Sequence, residues 1–328
     1  MQPAAGNAPA TTDAVVIGAG PAGLFQVFQL GLQGLRAQLF DALPFAGGQC
    51  AELYGDKPIY DIPAMAACTG HELVQRLCAQ IRPFAPGWHL GQRVNHVEPL
   101  AQGGFLVAGA HGTRLHARAV FIASGVGAFE PRALKLPGLE AFAGTQMLHA
   151  LAADTRLTGL RVLVHGGGEA AVQQAIACAT APEALRAAGR IEVAVGVASA
   201  IVQRQERLAA LEIITPDGQP RQIPADRLVV RLGLVPRLGP IADWGLALER
   251  KQLVVDPATM ATSMPGIYAV GDAISYPGKR KLIVSAFHEA TLAAFGAAEW
   301  LAGGSIPLEY TTSSRRLQDL LGVAPGDS

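Results

Sequence analysis

Residues 13–41 read DAVVIGAGPAGLFQVFQLGLQGLRAQLFD, and the fold class turns on this stretch. Residues 14–17 are a short apolar run of the kind that makes a buried parallel strand. Gly18-Ala19-Gly20-Pro21-Ala22-Gly23 fits G-x-G-x-x-G, residues 24–32 carry apolar side chains at helical spacing, and a second apolar run, 37–40, closes on Asp41. The order is strand, glycine turn, helix, strand, acid. Gly18 permits the tight turn, Gly20 leaves the backbone bare for a pyrophosphate, and Gly23 lets the helix lie close to the strand. Pro21 and Ala22 open the helix, whose first N–H groups and partial positive charge suit phosphates. Asp41, 23 residues after Gly18, stands where a carboxylate takes both hydroxyls of a ribose. The competing reading is an ordinary βαβ turn with no ligand; the flanking strand, helix and acid weigh against it. The motif alone does not separate FAD from NAD.

A length of 328 residues predicts two domains. Hydrophobic residues make up 50% and charged residues 16%, which suits a compact α/β enzyme and excludes a disordered chain. Lys+Arg and Asp+Glu are both 26, so no global charge points to nucleic acid or an anionic membrane. Cys50, Cys68, Cys78 and Cys178 form no C-x-x-C pair, so neither a redox dithiol nor a zinc site or other metal centre is expected. Few cysteines and no secretory signal predict a cytoplasmic protein. Residues 1–12 read as a loose tail. Residues 282–301 are strongly apolar but contain His288, Glu289 and Glu299, which predicts a packed helix rather than a membrane span.

Residues 42–64, ALPFAGGQCAELYGDKPIYDIPA, read as a shaped loop rich in Gly and Pro. Residues 71–81 read as a helix with Thr69 as its N-cap. Runs at 93–97, 104–108 and 119–123 predict an antiparallel hairpin and a return to the main sheet. Residues 125–138, GVGAFEPRALKLPG, read as a connection between domains. The opening pattern then recurs: strand 161–164, Gly166-Gly167-Gly168-Glu169-Ala170-Ala171 as G-x-G-x-x-A, and helix 172–179. The remainder of this second unit is short: a helix-like stretch 182–188, strand-like runs 191–197, 210–215 and 227–232, and a Pro216-Asp217-Gly218 turn joining the last two. Residues 253–255 and 266–270 read as strands, the second running into Gly271-Asp272. Residues 285–301 read as a helix and 302–328 as a tail.

Two tandem dinucleotide units with a Gly-Asp turn near the C-terminus resemble the two-dinucleotide-binding flavoproteins of the thioredoxin reductase type. The stretches GAGPAGL, LPFAGGQCAELYGDKPIYDIPA, RLGLVPRLGPIADWGL and YAVGDAISYPGKRKLIVSAFHEA are most similar to the thioredoxin-reductase-like (type 2) ferredoxin/flavodoxin–NADP reductases, which also lack the C-x-x-C. The resemblance spans roughly residues 13–315 and implies an α/β fold class with two Rossmann-like domains, the second inserted in the first and shortened. It implies an FAD-binding domain at 13–125 and 240–315, an NAD(P)H-binding-like domain at 126–239, and a C-terminal tail at 316–328. Gly18, Gly20, Pro21, Ala22 and Gly23 would hold the FAD pyrophosphate and Asp41 the adenosine ribose. Gly48 and Gln49 would lie beside the flavin end, with Tyr54 stacked on one face and Asp61 near the ring. Val94 would meet adenine through its backbone, Ser124-Gly125 would form an ATG-like turn, and Asp272 would accept from the ribityl chain. Tyr310 would stack on the other face, followed by Thr311. Gly166, Gly168, Glu169 and Ala170 would bind NADPH or NADH. The implied activity is electron transfer between NAD(P)H and a ferredoxin or flavodoxin, by a homodimer.

The second unit departs from the family. NADPH-using members carry a His-Arg-Arg-like run whose two arginines grip the 2′-phosphate. No such run lies between Cys178 and Leu211; Arg186, Arg190, Arg204 and Arg207 are scattered. The nicotinamide site therefore favours NADH, binds weakly, or is vestigial, and in the last case the chain is a partner-fed redox or binding module. No general acid or base is assigned, because flavin chemistry belongs to the cofactor. Cys50 could be read as a redox cysteine, but position 55 is Gly55, so packing is the better reading. His165 and His288 read as structural core histidines. Lys279-Arg280-Lys281 with Arg315-Arg316 reads either as a basic patch for an acidic carrier or as a solvated face.

Overall fold

A computed structural model of the chain describes residues 9–151, 155–180 and 191–323. It divides into two compact units: one holds the chain up to Ala128 and from Arg237 onward, the other is Phe129–Pro236. In the first unit β1 (Ala10–Ile17) leads into α1 (Pro21–Leu32), β2 (Ala37–Phe40), α2 (Gly48–Glu52), α3 (Gly70–Gln80), β3 (Gly87–His89), β4 (Val94–Pro99), β5 (Phe105–Gly109) and β6 (Arg114–Ile122). β1 pairs parallel with β2, Ala14 opposite Ala37, and with β6, Ala10 opposite Leu115 through Ile17 opposite Ile122. Val15, Val16, Val120 and Phe121 are fully buried. A strand covered on both faces reads as a continuous apolar run, as 14–17 does. β4 and β5 form the expected antiparallel hairpin, and β5 continues onto β6. Thr69 caps α3 in a reciprocal box: its hydroxyl accepts from the Glu72 N–H (3.1 Å) and Glu72 accepts from the Thr69 N–H (2.8 Å).

Two expectations at the start of the chain are corrected. β1 begins at Ala10 rather than after a tail of twelve residues, because β6 reaches back to Leu115 and supplies backbone partners to residues 10–12. The shaped loop contains the short helix α2.

The second unit contains β7 (Met147–Leu148), β8 (Val162–His165), α4 (Glu169–Thr180), β9 (Val197–Arg204), β10 (Arg207–Ile214), β11 (Pro220–Pro224) and β12 (Arg227–Val230). β7, β12 and β8 form a parallel sheet with β12 in the middle, and β9, β10 and β11 form an antiparallel one. Buried Gln146 joins them. Its amide donates to the Leu208 carbonyl (3.0 Å) and the Asp226 carbonyl (3.1 Å), and its oxygen accepts from the Leu208 N–H (3.0 Å). The expected strand at 191–197 is not formed. Val193 and Val195 alternate as in a strand but stand exposed, and pairing starts only at Val197, where Ile214 lies opposite. An alternating run needs a neighbour to become a strand. The Pro216-Asp217-Gly218 turn closes the hairpin of β10 with β11, not with the run at 227–232. The helix-like stretch 182–188, with Arg186 and Arg190, lies outside the described residues.

The chain returns to the first unit with β13 (Gln252–Val254), β14 (Ile267–Ala269), β15 (Ile274–Ser275), α5 (Ile283–Ala302) and α6 (Arg315–Leu321). β14 joins the main sheet parallel to β6, Ile267 opposite Val120. Thus β6 gives residues 114–117 to β5 and 120–122 to β14 along one edge. α5 packs along α1, with the Phe25 and Phe287 rings 4.7 Å apart, and carries a stripe of buried alanines, Ala286, Ala290, Ala293, Ala294 and Ala297. Among the described residues no helix is long and apolar enough to cross a membrane. Within the expected C-terminal tail, residues 315–321 form α6, capped by the Ser314 hydroxyl.

In the second unit Arg161 forks onto Asp226, with two guanidinium contacts of 3.0 Å, and holds that carboxyl down to about 2. A lowered value stabilises the fold above the ordinary carboxylate range, and that contribution disappears as pH falls through it. Asp226→Asn is expected to cost about 1 kcal/mol at pH 6, the pair being largely exposed. The difference from wild type should shrink between about pH 4 and 2 in denaturant titrations.

Candidate functional site

The glycine turn is built from two contacts that no side chain could share. Gly18 has φ +113°, and a β-carbon on it would lie 2.3 Å from the Ala123 carbonyl oxygen. One on Gly23 would lie 1.7 Å from the Gly18 carbonyl oxygen, so α1 rests backbone to backbone on the end of β1. Gly20 is different. A β-carbon there would meet only Gly48 Cα, at 3.8 Å, and one on Gly48 (φ +53°) would come to 3.0 Å from Gly20 Cα. Two bare backbones thus face each other, with the Gly47 N–H docked on the Ala19 carbonyl (2.8 Å). Gly20 is the N-cap of α1, Pro21 follows it, and no side chain caps the helix. The arrangement suits an anionic, pyrophosphate-bearing group.

Asp41 ends β2 and turns back onto this loop. One carboxylate oxygen accepts from the Ala19 N–H (2.6 Å), the other from the Leu43 N–H (2.8 Å). Burial pushes its carboxyl up, against the pull of the Leu43, Ala19 and Ala42 N–H groups. The Asp41 carbonyl accepts from the Gln92 N–H (2.9 Å), two residues before Val94, which is buried at the head of β4. Asp41 therefore clamps the glycine turn itself, a role that its spacing in the sequence does not reveal.

Beyond Gly48, α2 carries Gln49, whose amide nitrogen lies 3.3 Å from the position a β-carbon on Gly125 (φ +59°) would take. The adjacent Ser124 hydroxyl is buried without a partner among the described residues. Tyr54 is half-buried, and its hydroxyl accepts from the Cys50 thiol (3.9 Å). Burial pushes Tyr54 up to about 12, with Cys50 and the Asp272 carboxylate adding to it. The same carboxylate helps raise the Cys50 thiol, which burial already pushes up. The Asp272 carboxylate thus acts on both Cys50 and Tyr54. Asp61 is exposed, and its charge acts on Cys68. Cys50 is free, as are the other three cysteines. A buried thiol raised in this way makes a poor nucleophile.

Tyr310 and Thr311 are not drawn into this cluster. Tyr310 is 64% exposed. Its carbonyl accepts from the Ser313 and Ser314 N–H groups, and the Thr311 carbonyl from the Gln318 amide. Arg316 ties the segment to the Leu32 carbonyl (3.3 Å). That is the C-terminal end of α1, about 18 Å along the helix from its glycine end.

The charged residues near the Gly-Asp turn differ from expectation. His288 is exposed, whereas its neighbour Glu289 is fully buried. The buried stripe of α5 runs through 286, 289, 290 and 293, and position 288 falls off it. An acid in phase with an alanine stripe was the available signal. Lys279, expected in a basic patch, has a side chain only 7% exposed and pairs with Glu289. Arg316 pairs with Glu309 at the far end of α1, so the two basic runs do not make one patch: Arg280 and Lys281 stay exposed after the Gly-Asp turn, and exposed Arg315 belongs to the other end of α1.

In the second unit a β-carbon on Gly166 would lie 2.3 Å from the Arg231 carbonyl oxygen, while Gly167 and Gly168 are open. Glu169 and Ala170 begin α4 and are exposed. Arg231, just past β12, donates to the His149 carbonyl (2.9 Å) and the Ala170 carbonyl (3.5 Å). It is a cation at the second glycine turn that no sequence motif singles out. Arg204 and Arg207 lie opposite each other at the tip of the β9–β10 hairpin. Burial pushes His165 down, consistent with a structural histidine.

The chain matches the family model described as pyridine nucleotide-disulphide oxidoreductase over residues 12–183 and 179–290. It is 57% identical over 343 aligned positions to a ferredoxin--NADP reductase of Acidovorax sp. (strain JS42), with 97% of each chain covered. It is 54% identical to one of Paracidovorax citrulli (strain AAC00-1), covering 95% of this chain and 96% of that one. Among solved structures it is similar to T. acidophilum thioredoxin reductase, with TM-score 0.55, 22% identity, and 88% and 98% of the chains covered. It is also similar to the bacillithiol disulfide reductase Bdr (YpdA) from Staphylococcus aureus, with TM-score 0.57, 12% identity, and 87% and 97% covered. Those two likenesses concern the fold, a mixed α/β architecture of the two-Rossmann-domain flavoprotein type.

The two kinds of glycine predict different failures. Gly23→Ala, forced against backbone, should destabilise the chain by more than about 3 kcal/mol in denaturant titrations. Gly20→Ala, whose methyl would make only an ordinary van der Waals contact with Gly48 Cα at 3.8 Å, should cost less than about 1 kcal/mol yet weaken dinucleotide binding at least tenfold.

Proposed function

The chain belongs to the pyridine nucleotide-disulphide oxidoreductase family, and on that footing we propose that it is a flavin-dependent reductase passing electrons from NADPH to a ferredoxin. The observation that carries this reading is a bare dinucleotide cradle, Gly20 against Gly48, beside buried Cys50, which is a free thiol and has Gly55 where the family's disulfide partner would stand. The residues below would hold FAD, which when bound would supply hydride acceptance and single-electron release.

The chain's own residues bind and orient. Gly18, Gly20, Pro21, Ala22 and Gly23 are proposed for the pyrophosphate, Asp41 for the adenosine ribose and the Val94 backbone for adenine. Gly48, Gln49, Tyr54, Asp61, Ser124 and Gly125 are proposed around the ring, and Asp272 along the ribityl chain. Ser124, with its buried unpartnered hydroxyl, suits such a ligand-facing role. Tyr310 and Thr311 are proposed to cover the ring's other face in a homodimer. Gly166, Gly168, Glu169 and Ala170 are proposed for the nicotinamide nucleotide, with Arg231 as the cation beside them. Exposed Arg280 and Lys281 suit steering of an acidic ferredoxin, or a flavodoxin, towards the protein in the cytoplasm.

Anaerobic mixing tests the reading. The purified protein should carry flavin absorbance, and NADPH should bleach it rapidly, faster than NADH does; the names of the relatives favour NADPH against the expectation drawn from the missing arginine pair. Ferredoxin reduction should slow as salt is raised. A small aromatic disulfide should not be turned over. If neither nucleotide bleaches the flavin, the partner-fed redox module replaces the reductase.

A further inference from the structure

We infer that Glu289 is a positioning residue that sets the Gly271-Asp272 turn against the glycine turn, with Tyr276 and Lys279 as its fixed donors. The inference rests on the flavoprotein reading above. Glu289 is the only charged residue among the fully buried described residues. Its Oε2 accepts from the Gly271 N–H (2.8 Å). Its Oε1 accepts from the Tyr276 hydroxyl (2.8 Å) and from Lys279 Nζ (2.5 Å). Lys279 Nζ also stands 5.9 Å from the centre of the Tyr276 ring. Burying a carboxylate is costly unless it is paired and hydrogen-bonded, and here it is both. Such a pair is weak as a source of stability compared with apolar packing, so its use is geometric.

The geometry it imposes is specific. Gly271 has φ +76°, and a β-carbon on it would lie 3.3 Å from the Ala22 side chain in the first turn of α1. Pinning the Gly271 N–H therefore pins the Gly-Asp turn to the N-terminus of α1. On the other side Gln252 donates to the Asp272 carbonyl (3.2 Å) and to the Ile274 carbonyl (2.9 Å). The backbone of residues 271–274 is held from both sides through the Gly271 N–H and the Asp272 and Ile274 carbonyls, a bracing that does not use the Asp272 carboxylate. That carboxylate is left free to accept from a ligand.

The spacing G-D-x-x-x-Y-x-G-K follows from the same requirement. Gly278 (φ +88°) folds the chain back, and the Lys279 N–H bonds the Tyr276 carbonyl (3.1 Å). Both side chains thereby return to one carboxylate, ten and thirteen residues away in sequence.

The test uses the full chain stripped of flavin and titrated with FAD, read by flavin fluorescence and by the visible circular dichroism of the bound flavin. Tyr276→Phe, which removes one hydroxyl, should loosen FAD about threefold to tenfold. Glu289→Gln and Lys279→Met should each loosen it at least tenfold and alter the visible dichroism. The double variant should be no worse than the weaker-binding single, since the two act as one unit. Tyr276→Phe decides the matter if the charge variants do not fold. Folded variants that bind FAD as wild type does, with unchanged dichroism, overturn the inference alone. A wild-type chain that takes up no FAD overturns the flavoprotein reading and this inference with it.

Discussion

The fold of the first unit depends on how closely α1 lies on β1. With the Gly23 Cα against the Gly18 carbonyl, the helix starts almost on top of the strand end, and its first N–H groups point over the carboxyl edge of the sheet. Any side chain at either position would lift the helix away. The alanine stripe of α5 extends the same economy of volume to the helix's other side. Small residues at these contacts let sheet, helix and second helix approach closely.

Around that contact, polar groups do the local positioning. Asp41 ties the second strand to the turn, and Gln146 joins the two sheets of the second unit with three hydrogen bonds. Glu289 gathers three donors from the Gly-Asp segment. Each is a polar side chain that satisfies backbone or side-chain groups which apolar packing would leave unpaired.

The two glycine turns, alike in sequence, differ in their settings. The first has a facing loop, Gly47–Gly48, an acid at its strand end and a buried hydroxyl near by. The second opens onto exposed Gly167 and Gly168, and beside it stands an arginine bonded to backbone carbonyls. A dinucleotide motif specifies a turn; its surroundings specify what the turn can hold.

The local elements and their kind are legible in the sequence. Apolar runs, glycine spacing and the Thr69 cap are short-range patterns whose physics is contained within a few residues, and they reveal the βαβ unit, its repeat and the Gly-Asp turn. Long-range packing settles the rest. Val193 and Val195 alternate like a strand but have no strand partner among the described residues, and residues 10–12 become strand only because β6 reaches them. Lys279 and Glu289 look like surface charges in sequence, and His288 like the buried group. Helix phase and the Gly278 turn reverse that assignment. Tyr310 is anchored at the far end of α1 by Arg316, a contact 284 residues apart in sequence. Whether a charge is buried or a strand is paired depends on partners far along the chain, and only the folded arrangement supplies them.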